Sequence, residues 1–529
     1  MERRNRVQTV KRAEGTRWTT DGPMILLLFL AAMVSGQGLA AGATFFADSG
    51  ISGDCVGSYD PTTRSCGGGR AVAYGTLRGA VAVAHPGDTV LFRGGAFHET
   101  LSPPRSGASD NSITFKGYPG ETATLSGVDE PAISLLNRSY LIIEDLTITD
   151  VPGWGRVESS NNIILRNNRF SVANAHGTTG GLKFVKSRYN FVLNNTFDEG
   201  HDSLVLQESD RNVVDGNTFT KARHSLLSVR CGNFNVIRGN LFHNENQKAV
   251  EIYDCEGVSD APVKFDATRH NLFEGNAFTY SRASEREYRY NGIQYGGQNG
   301  IVRRNVFYAN QGGALSFQVY PNEALYNNGN HVFNNTFYNN RCYGLSASSA
   351  SDRGRFFGNV VKNNIFYKNT DCGGRANQTS IGNTTAVKLE RNAILTASPR
   401  FVDEARNDLR LAAGSPMIDA GAFATRAVGA GTGTDLNVED VGYFYDGFGI
   451  PGEVGDEIRL EGAPSTARVV RIDYAKRALT LDQPLTWIRG QYLHLRYSGV
   501  GPDMGAFESQ SETEISPPSM NPKINPYRR

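Results

Sequence analysis

The sequence predicts an all-β fold: a right-handed parallel β-helix solenoid with an amino-terminal cap helix and a small carboxyl-terminal antiparallel β-module. Three observations lead to this prediction: a repeated Asn-x-Phe tripeptide, short strand-like runs between polar turns, and a change of pattern near residue 435. The 59 glycines, many of them in Asn-Gly and Gly-Gly pairs, fit a chain made mostly of strands and turns.

Eight Asn-x-Phe tripeptides follow short apolar runs between residues 161 and 366. Successive phenylalanines of this set are 27, 22, 23, 36, 29, 30 and 29 residues apart, so the shortest period is 22 and insertions lengthen the others. Self-similarity at such a period is typical of stacked repeats. The phenylalanines are Phe170, Phe197, Phe219, Phe242, Phe278, Phe307, Phe337 and Phe366.

Each repeat contains runs of four to six residues that are rich in β-branched and aromatic side chains, such as 212–219 and 225–230. A helical repeat would need apolar residues at three- and four-residue spacing over about a dozen positions. Each repeat is therefore predicted to be one coil of a parallel β-helix with stacked phenylalanines inside. The asparagine amides should bond to one another along the stack, because neighbouring strands lie about 4.8 Å apart.

The amino terminus predicts a signal peptide over residues 1–43. Six Lys and Arg residues precede the apolar run 24–34, which is short for a bilayer span, and Ala41-Gly-Ala43 has the form of a cleavage site. An uncleaved membrane anchor is the alternative. We expect a secreted, periplasmic or cell-surface protein, monomeric and without membrane association after cleavage.

The charge of the mature chain excludes one class of partner. Residues 1–43 carry six of the 54 basic and three of the 53 acidic residues, which leaves 48 and 50 in the remainder. Such a balance creates no strong field for nucleic acid or an anionic membrane. Any polyanion must be held by a local cluster.

Six cysteines in an exported protein predict disulfides, and stacking brings residues one coil apart within the Cα distance of about 4.4–6.8 Å that a disulfide needs. Metal binding is the weaker alternative, since no two cysteines have Cys-x-x-Cys spacing. The predicted pairs are Cys231–Cys255, Cys342–Cys372 and Cys55–Cys66.

Along the chain, a first strand at 45–48 is followed by an amphipathic helix at 74–85, which we predict to cap the open end of the solenoid. The β-helix with its cap is predicted to occupy residues 44–426. A Gly/Ala/Thr-rich segment, 427–434, is interpreted as a linker.

The pattern then changes to short runs in which apolar and polar residues alternate, which predicts a small antiparallel β-module at 435–508 with one face toward water. The Ser/Pro/Asn-rich residues 509–529 are predicted to be disordered.

Charged residues form two predicted columns on neighbouring coils. Alignment on the phenylalanines places Asp202, His224 and Lys248 in one column. It places Glu208, Arg230 and Asp254 in the other. An Asp one coil from a His would orient the imidazole, and an Arg between two carboxylates would be held in one direction. The alternative is a solvated salt-bridge ladder that keeps the stack in register.

One segment resembles a family. Ser225–Asn233 followed by Asn235–Phe242 is similar to a segment of the chondroitinase-B and alginate lyase family of parallel β-helix polysaccharide lyases, in which a strand ends in Arg-x-Gly-Asn before the next Asn-x-Phe coil. Segments 86–90 and 113–121 resemble the opening of such proteins. The end, 502–508, looks like the terminus of many exported bacterial β-helix proteins.

The resemblance implies β-elimination on a uronate, with a Lys one coil before the Arg as base, and calcium and the Arg stabilising the carboxylate. Arg230 matches the Arg, whereas Glu208 stands where the Lys is expected. A version that fits this chain has His224 as the base, oriented by Asp202, with Arg230 and Lys248 on the uronate. The sequence identifies no ligands for calcium or for any other metal.

The predicted function is therefore a secreted lyase of uronate-containing polysaccharide, and the alternative is a non-catalytic carbohydrate-binding or structural surface protein. The predicted catalytic residues are Arg230, His224, Lys248, Asp202 and Glu208. The predicted substrate-binding residues are His201, Arg223, His243, Glu251 and Tyr253. The partner is an acidic polysaccharide, with no nucleic acid.

Overall fold

The computed structural model describes residues 42–253, 268–281, 291–318, 327–347, 356–382 and 386–509. Most of them form three long sheets in which strands of successive coils pair in parallel. Each coil contributes one strand to each sheet, so strands about two dozen residues apart in sequence become neighbours. These sheets form the parallel β-helix that the Asn-x-Phe repeat predicts.

Sheet A begins in the cap and runs along the whole β-helix. Its strands, in chain order, are Thr44–Ala47, Cys55–Asp60, Ser65–Cys66, Ala71–Tyr74, Thr89–Phe92, Ile113–Gly117, Ser139–Glu144, Asn161–Arg166, Phe191–Leu193, Val213–Asp215, Val236–Arg238, Leu272–Glu274, Ile301–Arg303, His331–Phe333, Asn359–Lys362 and Val387–Glu390.

Sheet B carries the phenylalanines of the repeat. Its strands are Gly95–Phe97, Ala123–Leu125, Thr147–Ile148, Arg169–Ser171, Thr196–Asp198, Thr218–Thr220, Leu241–His243, Ala277–Thr279, Val306–Tyr308, Thr336–Tyr338, Ile365–Tyr367 and Ala393–Leu395.

Sheet C carries the predicted site. Its strands are Ile133–Leu136, Gly155–Glu158, Leu182–Val185, Asp202–Gln207, Ser225–Arg230, Lys248–Tyr253, Ile293–Tyr295, Leu315–Phe317, Leu345–Ala347 and Thr379–Ile381. Two short pairs lie outside the three sheets, namely Asn327–Asn328 with Phe356–Phe357 and Phe401–Asp403 with Asp408–Leu411.

The two predicted ladders run along the inside of the coils. The rings from Phe170 to Phe366 stack with centroids 4.6–5.0 Å apart and nearly parallel planes. Each asparagine of the repeat donates from Nδ2 to Oδ1 of the next, as from Asn217 to Asn240 at 3.0 Å. A second ladder, Asn190 to Asn212 to Asn235 to Asn271, occupies another turn of the same coils.

The amino-terminal cap contains the helix Leu77–Val83, which is shorter at both ends than the predicted 74–85. Thr76 caps it by accepting a hydrogen bond from the Gly79 amide, and its buried face covers the first coil with Leu77, Ala80 and Val81. Two short 3₁₀ helices span Gly177–Thr179 and Glu404–Arg406. No helix in the described part of the chain is both long enough and apolar enough to cross a bilayer.

The carboxyl-terminal module is the antiparallel sheet that the alternating pattern predicts. Its strands are Thr425–Arg426, Gly431–Asn437, Glu457–Leu460, Thr466–Asp473, Ala478–Trp487 and Tyr492–Leu495. The segment 427–434, predicted to be a linker, instead contributes to strand Gly431–Asn437, which pairs with Ala478–Trp487. The sheet therefore starts before residue 435, at Thr425.

The module packs on the outer face of sheet A. Val213, Val236, Leu272, Ile301 and Phe333 of that sheet share one buried apolar cluster with the module. An apolar outer face on sheet A needs such a cover, since solvent would otherwise reach it.

Two of the predicted disulfides, Cys55–Cys66 and Cys342–Cys372, are present with Cα atoms 5.4 and 4.1 Å apart. Cys255, the predicted partner of Cys231, lies outside the described residues. So do Asp254, residues 1–41 of the predicted signal peptide, and residues 510–529 of the predicted tail.

Candidate active site

The candidate site lies on the outward face of sheet C, where three neighbouring strands each carry charged residues. Asp202 of the first strand is opposite Ser225 of the second, which is opposite Lys248 of the third. Ser228 is opposite Glu251 in the same strands. Parallel pairing therefore gathers into one cluster residues that are 23 positions apart on neighbouring strands.

The imidazole of His224 is held by a buried carboxylate. Its Nδ1 is 2.6 Å from Asp202 Oδ1, and the Asp202 side chain is only 3% exposed. Ser225 Oγ donates to the same oxygen at 2.7 Å, which fixes the carboxylate in turn. No described residue hydrogen-bonds to His224 Nε2, and the His224 side chain is 31% exposed, so this nitrogen is accessible to solvent.

Arg230 lies between two carboxylates, as the sequence predicts, and among the described residues they are Asp202 and Glu251 and not Glu208. Its Nη2 is 3.4 Å from Asp202 Oδ2 and 3.1 Å from Glu251 Oε1, and its Nε donates to Ser228 Oγ at 2.7 Å. The guanidinium lies over the ring of Tyr253 at 5.1 Å. The reason is the register, which places Gln207, Arg230 and Tyr253 in one row.

Glu251 is the second buried carboxylate of the cluster. Lys248 Nζ lies 2.5 Å from its Oε2, and Ser228 Oγ donates to its Oε1 at 2.9 Å. The Glu251 side chain is 4% exposed and that of Lys248 13%. Both carboxylates are thus paired with cations and hydroxyls, as buried charges must be.

The protonation states follow from this pairing. Burial by itself would raise the pKa of Asp202, but the hydrogen bond from His224 and the charges of His224 and Arg230 lower it well below the ordinary value. Burial would likewise raise the pKa of Glu251, yet Lys248, His224 and Arg230 lower it. Burial, together with the charge of Glu251, raises the pKa of Tyr253, so its phenol stays neutral.

His201 stands beside Asp202 without a hydrogen bond from its ring. Its Nδ1 is buried, has no hydrogen-bond partner among the described residues, and lies 4.0 Å from Asp202 Oδ2. Its ring is 5.7 Å from the rings of both His176 and His224. Burial lowers the pKa of His201, so the imidazole is neutral near pH 7.

Three predicted site residues lie outside the cluster. Glu208 follows its strand in a left-handed turn, at φ 49°, and its carboxylate is 4.0 Å from Lys186 Nζ, so the predicted column was shifted by one residue. Arg223 is tied to the backbone by hydrogen bonds to the carbonyls of Ala173 and Ala175. His243 belongs to sheet B and stacks on Tyr280.

The remaining predicted residues lie together in the structure: Asp202, His224, Arg230, Lys248, Glu251 and Tyr253, with His201 beside them. Sequence reasoning missed Ser225 and Ser228, whose hydroxyls bridge the two carboxylates and the guanidinium. Their spacing was the available signal, because Ser228 and Arg230 share the phase of one strand face.

The donor set bears on which metal could bind here. His201, Asp202 and His224 each offer one ligand atom, and these atoms lie within 4.8 Å of one another. Calcium takes oxygen ligands, so this set does not match the calcium that the lyase resemblance implies. Two imidazoles with one carboxylate suit a transition metal.

Comparisons with known proteins bear on the fold. Residues 185–356 match the family model described as "right handed beta helix region", and residues 109–259 match that of a periplasmic copper-binding protein, NosD. The chain folds as a right-handed parallel β-helix. The Bacillus subtilis (strain 168) "uncharacterized protein YwoF" is 27% identical over 338 residues, which is 61% of this chain and 70% of that protein.

Solved structures with a similar path include the pectate lyase Pel9A, with TM-score 0.47 and 15% identity over 89% of this chain and 97% of that one. A PL6 family polysaccharide lyase from Pseudopedobacter saltans gives TM-score 0.41 and 15% identity over 61% and 92%. A rhamnogalacturonan lyase gives TM-score 0.45 and 12% identity, over 71% of this chain and 96% of that one. The activities in these names belong to those proteins.

Proposed function

We propose that the protein cleaves a uronate-containing polysaccharide by β-elimination at the cluster on sheet C. The observation that carries this proposal is the pair Asp202–His224, in which a buried carboxylate holds Nδ1 of a partly exposed imidazole at 2.6 Å. That arrangement fixes the ring and leaves Nε2 as the basic atom on the outward face.

In the proposed step, His224 Nε2 takes the proton from the sugar carbon that bears the carboxylate. The electron pair of that C–H bond forms a double bond to the neighbouring carbon, and the glycosidic C–O bond at that carbon breaks. The departing oxygen takes a proton from solvent. No oxidant or co-reactant is needed, and the products are a shortened chain and an unsaturated sugar.

Lys248 and Arg230 supply positive charge next to the base. Both are only 13% exposed and already contact Glu251, so they add positive potential near the uronate without swinging out to bind it. Arg230 therefore acts mainly by holding Asp202 and Glu251 in place. This differs from the role that the family resemblance implies, in which the Arg contacts the substrate carboxylate.

The second candidate function is carbohydrate binding without catalysis. The observation that favours it is that Arg230 and Lys248 are already paired with carboxylates of the protein, so neither is available to neutralise a uronate. In that case the outward face, with Gln294 next to Glu251, would dock a sugar chain by hydrogen bonds.

We also place the protein outside the cytoplasm. The two described disulfides fit an oxidising compartment, and the amino-terminal segment has the composition of an export signal.

The test is to incubate the mature protein with alginate, chondroitin, pectin and related uronates and to follow the ultraviolet absorbance of an unsaturated product. Turnover in the wild type that His224→Ala abolishes and His98→Ala preserves would support the elimination. Binding of a polysaccharide without absorbance change across the panel would support the second candidate and reject the first.

A further inference from the structure

We propose that His201, Asp202 and His224 form a binding site for one divalent transition-metal ion. The site is inferred from the donor atoms of this chain and stands whether or not the protein cleaves a polysaccharide.

The first argument is the orphaned nitrogen of His201. Buried polar atoms in folded proteins almost always have a partner, so an exception calls for a ligand or another specific explanation. His201 Nδ1 is buried, has no hydrogen-bond partner among the described residues, and lies 4.0 Å from Asp202 Oδ2. A cation between these two atoms would give His201 Nδ1 a partner.

The second argument is the geometry of the three donors. Their ligand atoms lie within 4.8 Å of one another, and His224 Nδ1 is 2.6 Å from Asp202 Oδ1. Zn–N and Zn–O bonds are about 2.0–2.2 Å, so two ligands of a tetrahedral ion are about 3.4 Å apart. The observed separations of the donor atoms, from 2.6 Å to at most 4.8 Å, bracket that value, and an ion bound here would replace the proton on His224 Nδ1.

The third argument is electrostatic. The ion would lie near two negative charges. His224 Nδ1 is 2.6 Å from Asp202 Oδ1 and 3.9 Å from Glu251 Oε1. Arg230 Nη2, 3.4 Å from Asp202 Oδ2, opposes the ion, and Lys248 offsets part of the charge of Glu251. The two imidazole side chains, His201 and His224, are the ligands that separate this site from a magnesium or calcium site.

Access and coordination number also fit. The side chains of His201 and His224 are 21% and 31% exposed, so an ion can reach them from solvent. Three protein ligands leave a position for water or for an oxygen of a bound molecule, which is the arrangement of open metal sites.

The experiment uses the mature protein after dialysis against a chelator, without any polysaccharide. Calorimetric titration with ZnCl₂ or CuSO₄ should give one ion per chain, and Co²⁺ should produce visible d–d absorption. His201→Ala should weaken the affinity by more than about tenfold, the lower end of what lost second-shell partners cost. His98→Ala is the matched control, since His98 is an exposed histidine in an early coil and should leave the titration unchanged.

Equal affinity of wild type and His201→Ala, or no binding by the wild type, would overturn the proposal. His224→Gln provides a second variant, so that a folding defect in one of them does not decide the outcome. The metal-free proteins should unfold at similar temperatures, and added ion should raise the unfolding temperature of the wild type and of His98→Ala more than that of His201→Ala or His224→Gln. A protein that binds the ion but leaves every uronate intact would reject the proposed function and keep this site.

Discussion

At the scale of single residues, the cluster on sheet C is a closed network of opposite charges. Asp202 and Glu251 share the guanidinium of Arg230, and Lys248 completes the pairing of Glu251. His224 Nε2 has no hydrogen-bond partner among the described residues, and the His224 side chain is 31% exposed. Its position makes it the residue on which the proposed chemistry depends.

His224→Ala should lower kcat on a cleaved uronate by about 10²–10⁴-fold, the usual contribution of a general base. The substitution also removes a hydrogen bond to the buried Asp202 carboxylate, so the free energy of unfolding should fall by about 1–3 kcal/mol. Steady-state kinetics and thermal unfolding measure the two effects. An enzyme with unchanged kcat after this substitution would show that another group removes the proton.

Arg230→Ala should destabilise the fold as well as reduce any activity. It leaves Asp202 and Glu251 as buried carboxylates that have lost a shared cation, and breaking such a pair costs about 3–5 kcal/mol. Urea unfolding measures this cost. Arg223→Ala is the comparison, since Arg223 contacts backbone carbonyls and no carboxylate.

A stable Arg230→Ala protein without activity would instead place Arg230 on the substrate, as the family resemblance implies. The measured free energy of unfolding therefore separates a positioning role from a binding role.

At the scale of the coil, the asparagine ladders supply hydrogen-bond partners for buried backbone groups in each turn. Asn240 Nδ2 donates to the Val214 carbonyl at 2.9 Å and to Asn276 Oδ1 at 3.0 Å, and its Oδ1 accepts from the Asn217 amide at 2.8 Å. The backbone groups of these buried turns need hydrogen-bond partners, and the asparagine side chains provide them.

Asn240→Ala should lower the free energy of unfolding by about 1–3 kcal/mol for each buried polar group that it leaves unpaired. Urea unfolding followed by circular dichroism measures the loss. Asn392→Ala is the control, because Asn392 ends the ladder and is partly exposed. Equal losses at both positions would show that the ladder adds nothing beyond local contacts.

At the scale of the whole described unit, buried ion pairs fasten the carboxyl-terminal module to sheet A. Arg303, with a side chain 1% exposed, donates to Glu274 of the β-helix at 2.8 Å and to both oxygens of Asp456 in the module at 2.6 and 2.7 Å. Arg238 makes an equivalent contact to Glu453 at 3.0 Å.

Arg303→Leu should lower the free energy of unfolding by about 3–5 kcal/mol, because it leaves two buried carboxylates without their cation. Combining it with Glu274→Leu and Asp456→Leu should recover much of the loss, since apolar residues can replace a buried ion network at little cost. Unfolding free energies of the single and triple variants test this. A triple variant as unstable as the single one would mean that the module depends on the ions for its docking.

The segment 502–508, which contains Asp503 and Glu508, should make the free energy of unfolding depend on pH. Burial, with the charge of Asp503, raises the pKa of Glu508 to about 8, while its oxygens accept hydrogen bonds from the Ser498 and Asp503 amides. A raised pKa means that the folded state holds the proton more tightly than the unfolded state. The stabilisation is therefore complete below the ordinary Glu value and declines as pH rises through about 8.

Unfolding free energies measured between pH 6 and 9 should fall in the wild type and fall less in Glu508→Gln, which has no proton to lose. Parallel pH profiles for the two proteins would contradict the assignment of this dependence to Glu508. Burial also raises the pKa of Asp503, so some decline should persist in the variant.

The sequence alone determined the coil. The sequence shows a period of about two dozen residues, a repeated Asn-x-Phe tripeptide and short apolar runs. This pattern leaves few ways to bury the phenylalanines other than stacking coil on coil, and the observed Phe and Asn ladders follow from it. The cap helix and the antiparallel module were also predictable, because their periodicities are local properties of the chain.

Only the tertiary structure decided the register of the charges. One more residue lies between Phe219 and Ser225 than between Phe197 and Asp202, although both pairs face each other in their sheets. Arg230 therefore aligns with Gln207 instead of Glu208, and it takes Asp202 and Glu251 as partners. The docking of the module on sheet A was likewise invisible in sequence, since it joins Arg303 to Asp456 across 153 residues. Side-chain contacts depend on offsets of a single residue between strands, and a repeat pattern fixes the spacing of coils but not those offsets.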